Sequence, residues 1–210
     1  MKAIEELLRN AGISPIAGVD EAGRGPCAGP LVVAAVILKD PFAPELAAVR
    51  DSKEVPESKR EALFDVIMNI AESVSVIIVP AAEVDERGVH VANLDGMRRA
   101  VKGLQIEPAY VLTDGYAIEG LAIPNLAVWK GDQVAVSISA ASILAKVSRD
   151  RMMRDYAATY PGYAFDTNKG YPCAKQRAKL IESGLCDIHR KSWNFMEKLT
   201  GESATPGLFD

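Results

Sequence analysis

The chain has 210 residues, of which 49% are hydrophobic and 25% charged, with a formal net charge of −4. These totals are those of an ordinary globular protein of one domain, and the longest apolar run, residues 31–38, is too short to span a bilayer. No amino-terminal apolar stretch marks a secretory signal, and three cysteines without metal-type spacing favour a reducing cytoplasm over a secreted disulfide framework.

The spacing of apolar residues predicts the elements of the first two thirds of the chain. In chain order these are a helix, two strands that pair antiparallel, a helix, a strand, two helices and two more strands, at residues 1–10, 16–20, 31–39, 58–70, 73–79, 81–86, 91–103, 109–113 and 125–129. Ser58 followed by Glu61 matches a capping box, which predicts the start of the fourth element.

Helices dominate the remainder of the chain. A long helix is predicted over residues 133–160, where Pro161-Gly162 ends it, and further helices over 173–183 and 193–199. The tail, residues 201–210, is predicted to be loose. Early strands followed by strands separated by helices indicate an α/β protein with a sheet of mixed direction.

Positive charge is concentrated between residues 146 and 191. This segment holds ten Lys and Arg against five acids, a local charge of +5, which leaves −9 for the remainder of the net −4. Such a division fits a protein that binds a polyanion on one side and cations on the other. A solvated helix face is the alternative explanation.

Two adjacent acids, Asp20 and Glu21, end the first predicted strand and run into a glycine-rich turn. Adjacent carboxylates repel, so their position beside buried strand residues is unfavourable unless a cation or protons neutralise them. In the turn, Gly23 and Gly25 allow close approach of a ligand, and Arg24 offers five donors to a phosphate or sugar. The segment is a candidate metal and phosphate site, with a polar strand end and ordinary turn as the alternative.

Two further acids, Asp114 and Asp132, occupy similar positions. Asp114 closes the strand 109–113, and Asp132 begins the long helix, where the helix dipole favours a carboxylate. Taken singly, they could equally be a turn aspartate and a helix cap. Together the four acids form a set of hard oxygen ligands that suits Mg²⁺ or Mn²⁺, and a pair of such cations cleaves phosphodiesters. Because neighbours on a strand point to opposite faces, Asp20 and Glu21 share one site only if the strand ends or twists there.

The two histidines do not indicate a competing chemistry. Neither His90 nor His189 has a G-x-S-x-G serine or an activated cysteine beside it, so a hydrolase triad is not predicted. His90 is expected to be structural or on the surface. His189 lies in a basic cluster, and it is either structural or a phosphate contact.

Several long motifs resemble those of bacterial ribonuclease HII, in order, from Gly18 to about Trp193. They are GVDEAGRGPCAGP, DSK, MRRAV, LTDG, KGDQ, SAASILAKVSRDRMM, YPGYAF, NKGYP and IHRKSW. The resemblance implies a ribonuclease-H-like α/β fold, a mixed five-stranded sheet flanked by helices with a small C-terminal helical extension. It also implies a catalytic core over residues 1–160, a substrate-binding extension over 161–200 and a flexible tail over 201–210.

The family's four metal-binding acids fall on Asp20, Glu21, Asp114 and Asp132, the acids already identified. The resemblance implies that they hold two divalent cations, Mn²⁺ or Mg²⁺, in a metal-dependent endonuclease. Its substrates would be the RNA strand of RNA/DNA hybrids and duplex DNA with an embedded ribonucleotide, cut on the 5′ side to leave 3′-hydroxyl and 5′-phosphate ends. A monomeric enzyme of the cytoplasm, without membrane contact, is expected.

The resemblance also implies substrate contacts at seven positions, Gly23, Arg24, Gly25, Ser52, Lys53, Lys146 and Tyr171. In the family, the glycine-arginine-glycine turn senses the 2′-hydroxyl of a ribonucleotide largely through backbone contacts. The tyrosine stacks against the sugar next to the RNA–DNA junction, although a turn tyrosine is the alternative here. Ser52, Lys53 and Lys146 are candidate phosphate contacts.

The chain departs from the family pattern at Asn168 and Gln176, where His is common, and at Cys173, where Thr is frequent. These departures leave the acids untouched and concern contacts to the substrate strands. At the end of the chain, Leu208-Phe209 resembles the short peptides that bind replication sliding clamps, with a frayed terminus as the alternative.

Two rival functions are left open. A resolvase-type or integrase-type nuclease on the same core would cut all-DNA substrates. A nucleic-acid-binding protein whose acids hold a structural cation would bind without turnover.

Overall fold

A computed structural model of the chain describes residues 3–49 and 55–193. Its five strands are β1 (Ile16–Ala22), β2 (Leu31–Leu38), β3 (Ala71–Val79), β4 (Tyr110–Asp114) and β5 (Asn125–Val128). They form one sheet in the order β3-β2-β1-β4-β5, in which β1, β2 and β3 are antiparallel and β1, β4 and β5 are parallel. The predicted mixed five-stranded sheet and the antiparallel pairing of the first two strands are confirmed.

The helices flank this sheet. They are α1 (Ala3–Asn10), α2 (Glu57–Ile70), α3 (Ala81–Arg87), α4 (Val89–Lys102), α5 (Gly131–Val134), α6 (Val136–Thr159), α7 (Phe165–Asn168) and α8 (Ala174–Ser183). A short 3₁₀ helix, Pro44–Leu46, and α7 were not predicted from the sequence. Within the described residues, no helix is both long and apolar enough to cross a membrane.

The two faces of the sheet are buried by different helices. Along β2, Val32 and Ala34 pack with residues of α2 and α6, whereas Val33 and Ala35 pack with residues of α4 on the opposite face. This double burial explains why the β2 sequence is continuously apolar rather than alternating. The sheet therefore forms the middle layer of the core.

Strand β1 and helix α6 approach each other unusually closely at Gly18. A Cβ atom at this position would lie 2.1 Å from the carbonyl carbon of Ser137. Only glycine allows this contact, which brings the start of α6 against the strand that carries Asp20.

The prediction of one continuous helix over residues 133–160 is wrong in one respect, because the helix is interrupted at Ala135. This residue is extended, with φ −128° and ψ 125°, and it separates α5 from α6. The buried carboxylate of Glu5 accepts hydrogen bonds from the backbone N–H groups of Val136 (3.0 Å) and Ser137 (2.7 Å). A side chain from α1 thus caps α6 and allows Asp132 to lie on a separate short helix.

The capping box predicted at Ser58 is also wrong. Helix α2 begins at Glu57, its N-cap is Pro56, and no side chain caps it. Glu61, the expected partner of Ser58, instead binds Arg151 and Arg154 of α6. The helix predicted over 193–199 and the tail fall largely outside the described residues.

Candidate metal centre and nucleic-acid interface

Three of the four predicted acids converge at one end of the sheet. Carboxylate oxygens of Asp20, Asp114 and Asp132 all lie within 4.8 Å of one another. Asp20 and Asp114 meet because β1 and β4 are parallel neighbours in which Val19 pairs with Thr113, one residue before the acids. The expectation that acids remote in sequence gather in one place is therefore met for these three.

Asp132 reaches the group through a tight turn after β5. Lys130 adopts a left-handed conformation with φ 53°, and the N–H of the next residue, Gly131, donates to Asp114 Oδ1 at 2.7 Å. This bond ties the α5 turn to the end of β4. The local fold therefore fixes two of the acids relative to each other.

The electrostatics of the group are set by Asp20, which is only 5% exposed. Burial raises its pKa well above the usual range, and the neighbouring charges of Glu21 and Asp114 raise it further. A backbone bond from the Glu21 N–H (2.7 Å) and a hydrogen bond from Ser142 oppose this shift. Clustered oxygens whose ionised form is disfavoured in this way fit a hard divalent cation, which would neutralise them.

Glu21 does not join the group of three. Strand β1 continues to Ala22, where Ala22 pairs with Val32 and Glu21 with Val33, so Asp20 and Glu21 keep the alternating directions of strand residues. Glu21 instead lies 3.7 Å from a guanidinium nitrogen of Arg24. Of the two conditions stated for a shared site, a strand end or a twist, the strand end is not met, although the charge of Glu21 still acts on Asp20.

The loop of residues 23–30 is held by two buried arginines that sequence analysis counted only as surface charge. Arg149 and Arg190 are 1% and 0% exposed. Their guanidinium groups donate to backbone carbonyl oxygens, those of Ala28, Pro30 and Lys169 for Arg149 and those of Gly23, Arg24 and Gly29 for Arg190. Burial lowers the pKa of both to about 10. Six of these seven hydrogen bonds thus fix the backbone of the glycine-arginine-glycine turn and the segment after it, and the seventh holds Lys169.

A signal for the burial of Arg149 exists in the sequence. Ala145, Arg149 and Met153 follow one another at four-residue spacing along α6, and both flanking residues are fully buried. A residue between two apolar neighbours at this spacing lies on the same helix face. Gly23 provides a second sign of close packing, since a Cβ there would lie 2.1 Å from Arg149 Nε.

Tyr171 lies next to the same turn. It is 51% exposed, and a Cβ atom added to Gly25 would lie 3.5 Å from its Cε1 atom. Asn168 shapes this region, because its Oδ1 accepts from the Gly170 N–H at 2.7 Å while its amide donates to the carbonyl of Tyr163. Asn168 therefore has a structural role in placing Tyr171.

The other two departures from the family pattern also have structural contacts. The fully buried Gln176 accepts a hydrogen bond from the Cys27 thiol at 3.2 Å. Cys173 is the N-cap of α8 and accepts a long contact from the Gln176 N–H at 3.5 Å. Gln176 therefore connects α8 with the loop of residues 23–30, whereas Cys173 connects the start of α8 with the Asn168 amide.

Half of the cations in the basic carboxy-terminal third are paired with carboxylates of the protein itself. Besides the two buried arginines, five of its ten cations have carboxylate partners: Lys146, Arg151, Arg154, Lys169 and Lys179. Lys146, a predicted phosphate contact, lies 2.6 Å from Asp150, and burial lowers its pKa. Glu57 and Glu61 of α2 supply most of the other partners.

His189 is buried against the rings of Tyr163 and Phe165, at centroid distances of 5.1 and 5.6 Å. Its Nδ1 accepts from the Cys186 N–H at 3.0 Å. The structural interpretation of His189 is therefore correct.

Among the other predicted residues, Ser52, Lys53 and Leu208-Phe209 lie outside the described residues.

Comparison with known proteins agrees with this geometry. The profile of the family described as Ribonuclease HII matches residues 17–196. A ribonuclease HII from Mycobacterium avium is 53% identical over 193 residues, which cover 92% of this chain and 84% of that protein.

Two solved structures share the fold. The ribonuclease H2 from Pyrococcus horikoshii OT3 has a TM-score of 0.79 at 28% identity, over 89% of this chain and 97% of that one. The RNase HII of the PCNA complex from Archaeoglobus fulgidus has a TM-score of 0.73 at 26% identity, over 90% of this chain and 98% of that one. The ribonuclease-H-like fold is thereby confirmed, and the chain belongs to the ribonuclease HII family of metal-dependent endonucleases, which act on RNA/DNA hybrids.

Proposed function

We propose that this chain hydrolyses the RNA strand of RNA/DNA hybrids and also cuts on the 5′ side of ribonucleotides embedded in duplex DNA, leaving 3′-hydroxyl and 5′-phosphate ends. The observation that carries the proposal is the convergence of three carboxylates beside a glycine-arginine-glycine turn whose backbone is held by Arg190, while Arg149 holds the segment after it. A 2′-hydroxyl is what separates RNA from DNA, and a rigid backbone turn is suited to detect it.

The residues that we assign to two divalent cations are Asp20, Glu21, Asp114 and Asp132. Oxygen-only ligands suit Mg²⁺ and Mn²⁺. When bound, the cations would supply an activated water and stabilise the leaving oxygen. The three converging aspartates would provide most of the negative charge that binds the cations. The ion pair of Glu21 with Arg24 connects the acids to the turn that would bind the substrate.

The substrate contacts that we propose lie on both sides of this turn. Gly23, Arg24 and Gly25 would contact the ribonucleotide, and Tyr171, half exposed beside Gly25, would stack on the neighbouring sugar. Ser52, Lys53 and Lys146 are the proposed phosphate contacts. In this scheme residues 161–200 are the substrate-binding extension of a catalytic core formed by residues 1–160.

The test uses three end-labelled duplexes: all DNA, DNA with one ribonucleotide, and a full RNA/DNA hybrid. Each is incubated with the enzyme and MgCl₂, MnCl₂ or EDTA, and the product ends are mapped on a sequencing gel. We expect metal-dependent cutting of the second and third duplexes only. Asp114→Asn should abolish cutting, whereas Asp65→Asn, an exposed acid of α2, should not change it.

Two outcomes would contradict the proposal. Equal cutting of the all-DNA duplex would indicate a resolvase-type nuclease. Binding of all three duplexes without turnover in either metal would indicate a nucleic-acid-binding protein with a structural cation.

We further propose that Leu208-Phe209 contacts a replication sliding clamp. The support is that the RNase HII from Archaeoglobus fulgidus was solved in a complex with PCNA. A pull-down with a purified bacterial clamp should retain the full chain and lose a variant that ends at residue 205. Equal retention of both would contradict the proposal.

We propose that the protein acts as a monomer in the cytoplasm. Cys27, Cys173 and Cys186 are all free thiols, as is usual in a reducing compartment. Size-exclusion chromatography with light scattering should give a mass close to 22.5 kDa.

A further inference from the structure

Tyr116 lies between two other side chains at the edge of the acid group. Its ring is stacked under the guanidinium of Arg24, with the Arg24 Cζ atom 4.5 Å from the ring centroid. His90 of α4 contacts the same ring edge-on, at 5.5 Å between centroids and an interplanar angle of 64°. Three elements, the turn after β1, the turn after β4 and helix α4, thus meet at one tyrosine.

The position of Tyr116 is fixed by the end of β4. Its N–H donates to the carbonyl of Asp114 at 2.9 Å, and its carbonyl accepts from the buried hydroxyl of Thr113 at 2.6 Å. The backbone of Tyr116 is therefore tied to the same strand end that presents Asp114 to the acid group. The ring therefore projects from a restrained backbone and packs between Arg24 and His90.

Arg24 needs this ring as a support. Its carbonyl is held by Arg190 at 3.0 Å, but the side chain has weaker restraints. These are the 3.7 Å ion pair with Glu21 and the contact with the Tyr116 ring, and Nε has no hydrogen-bond partner among the described residues. A guanidinium over an aromatic face keeps its in-plane N–H donors available for a phosphate.

We propose that Tyr116 is a positioning residue that holds the Arg24 guanidinium at the entrance to the acid group, ready to bind a substrate phosphodiester. The inference rests on the proposed function, because it assumes that Arg24 contacts the nucleic acid. Tyr116 itself acts through Arg24. The long arginine side chain therefore loses its conformational entropy when the protein folds, and less entropy is lost when the substrate binds.

The experiment compares Tyr116→Leu and Tyr116→Phe with the parent enzyme on the duplex that contains one ribonucleotide. An exposed cation–π contact corresponds to a factor of about 2 to 5 in binding, so Tyr116→Leu should raise KM by about that factor and change kcat much less. Tyr116→Phe keeps the ring and should restore KM. Tyr110→Leu, the same change at the opposite end of β4, is the matched control and should leave KM unaltered.

A double-mutant cycle with Arg24→Ala separates positioning from a general structural effect. Tyr116→Leu should add no further rise in KM once the guanidinium is gone. An unchanged KM in Tyr116→Leu, or an equal rise in the Arg24→Ala background, would overturn the inference. If the parent enzyme cleaves the duplex but Tyr116→Phe raises KM as much as Tyr116→Leu does, the inference is also overturned. If the parent enzyme does not cleave the duplex, the proposed function itself is refuted.

Discussion

Replacement of Asp20 by Asn should stabilise the metal-free protein while it abolishes cleavage. Two ionised carboxylates 4.8 Å apart, the upper limit within the acid group, repel by about 3.5 kcal/mol at an effective dielectric constant of about 20. The native protein favours the protonated form of Asp20, because the pKa of Asp20 is raised by its burial and by Glu21 and Asp114. We therefore expect a gain of about 2 kcal/mol in the free energy of unfolding near pH 8.

The pH dependence of this stability difference follows from the direction of the pKa shift of Asp20. A carboxyl whose pKa is raised in the folded state favours folding below its ordinary pKa, and this advantage is lost as pH rises through the raised value. The difference between Asp20→Asn and the parent should thus close near pH 4 and widen towards pH 8. Added Mn²⁺ should stabilise the parent and not the variant, which reverses the order.

The assay is urea denaturation followed by far-ultraviolet circular dichroism, in EDTA and in MnCl₂, at pH 5 and pH 8. Asp65→Asn serves as the control for loss of one negative charge from an exposed position. An Asp20→Asn protein less stable than the parent in EDTA at pH 8 would refute the electrostatic reasoning. An equal response of both proteins to MnCl₂ would refute the assignment of Asp20 as a ligand.

Three further predictions concern the fold around the site. Gly18→Ala should destabilise the protein by at least about 3 kcal/mol in thermal denaturation, because the added methyl would overlap the backbone of Ser137, and a stability within 1 kcal/mol of the parent would contradict this. Glu5→Ala should cost about 2 to 3 kcal/mol by removing a charged acceptor from the start of α6, and Glu5→Gln should recover part of that loss. Burial lowers the pKa of His189, so the stability that it contributes above about pH 6.5 should be lost as pH falls. His189→Asn retains an acceptor for the Cys186 N–H, and its free energy of unfolding should change less than that of the parent between pH 7 and pH 5. An equal change in the two proteins would contradict this prediction.

The parts of the fold that sequence analysis predicted well depend on local patterns. The apolar run of residues 31–38 predicts a strand, which the structure confirms as β2, and Asp20 and Asp114 meet because each lies near the carboxyl end of one of two parallel neighbouring strands. The strand predicted to end at residue 20 continues to Ala22, so Glu21 keeps strand alternation and lies outside the group of three aspartates.

The parts that were missed depend on partners remote in sequence. Nothing near Ala135 in the sequence breaks a helix, and the break is stabilised by Glu5, more than 130 residues away from the amides it caps. Glu61 matched a local capping motif, but two arginines of α6 bind it instead. Local propensity cannot anticipate such competition, because it considers only residues that are near one another in the sequence.

The burial of Arg149 and Arg190 has an electrostatic consequence. Their acceptors are neutral carbonyls, neither forms an ion pair with a described residue, and a pKa of about 10 keeps both protonated at physiological pH. Two lasting positive charges therefore lie beneath the loop of residues 23–30, inside a medium where mobile ions screen them little. If this loop binds the substrate as proposed, they would attract a nucleic-acid backbone, and this attraction should weaken less with added salt than one produced by surface lysines.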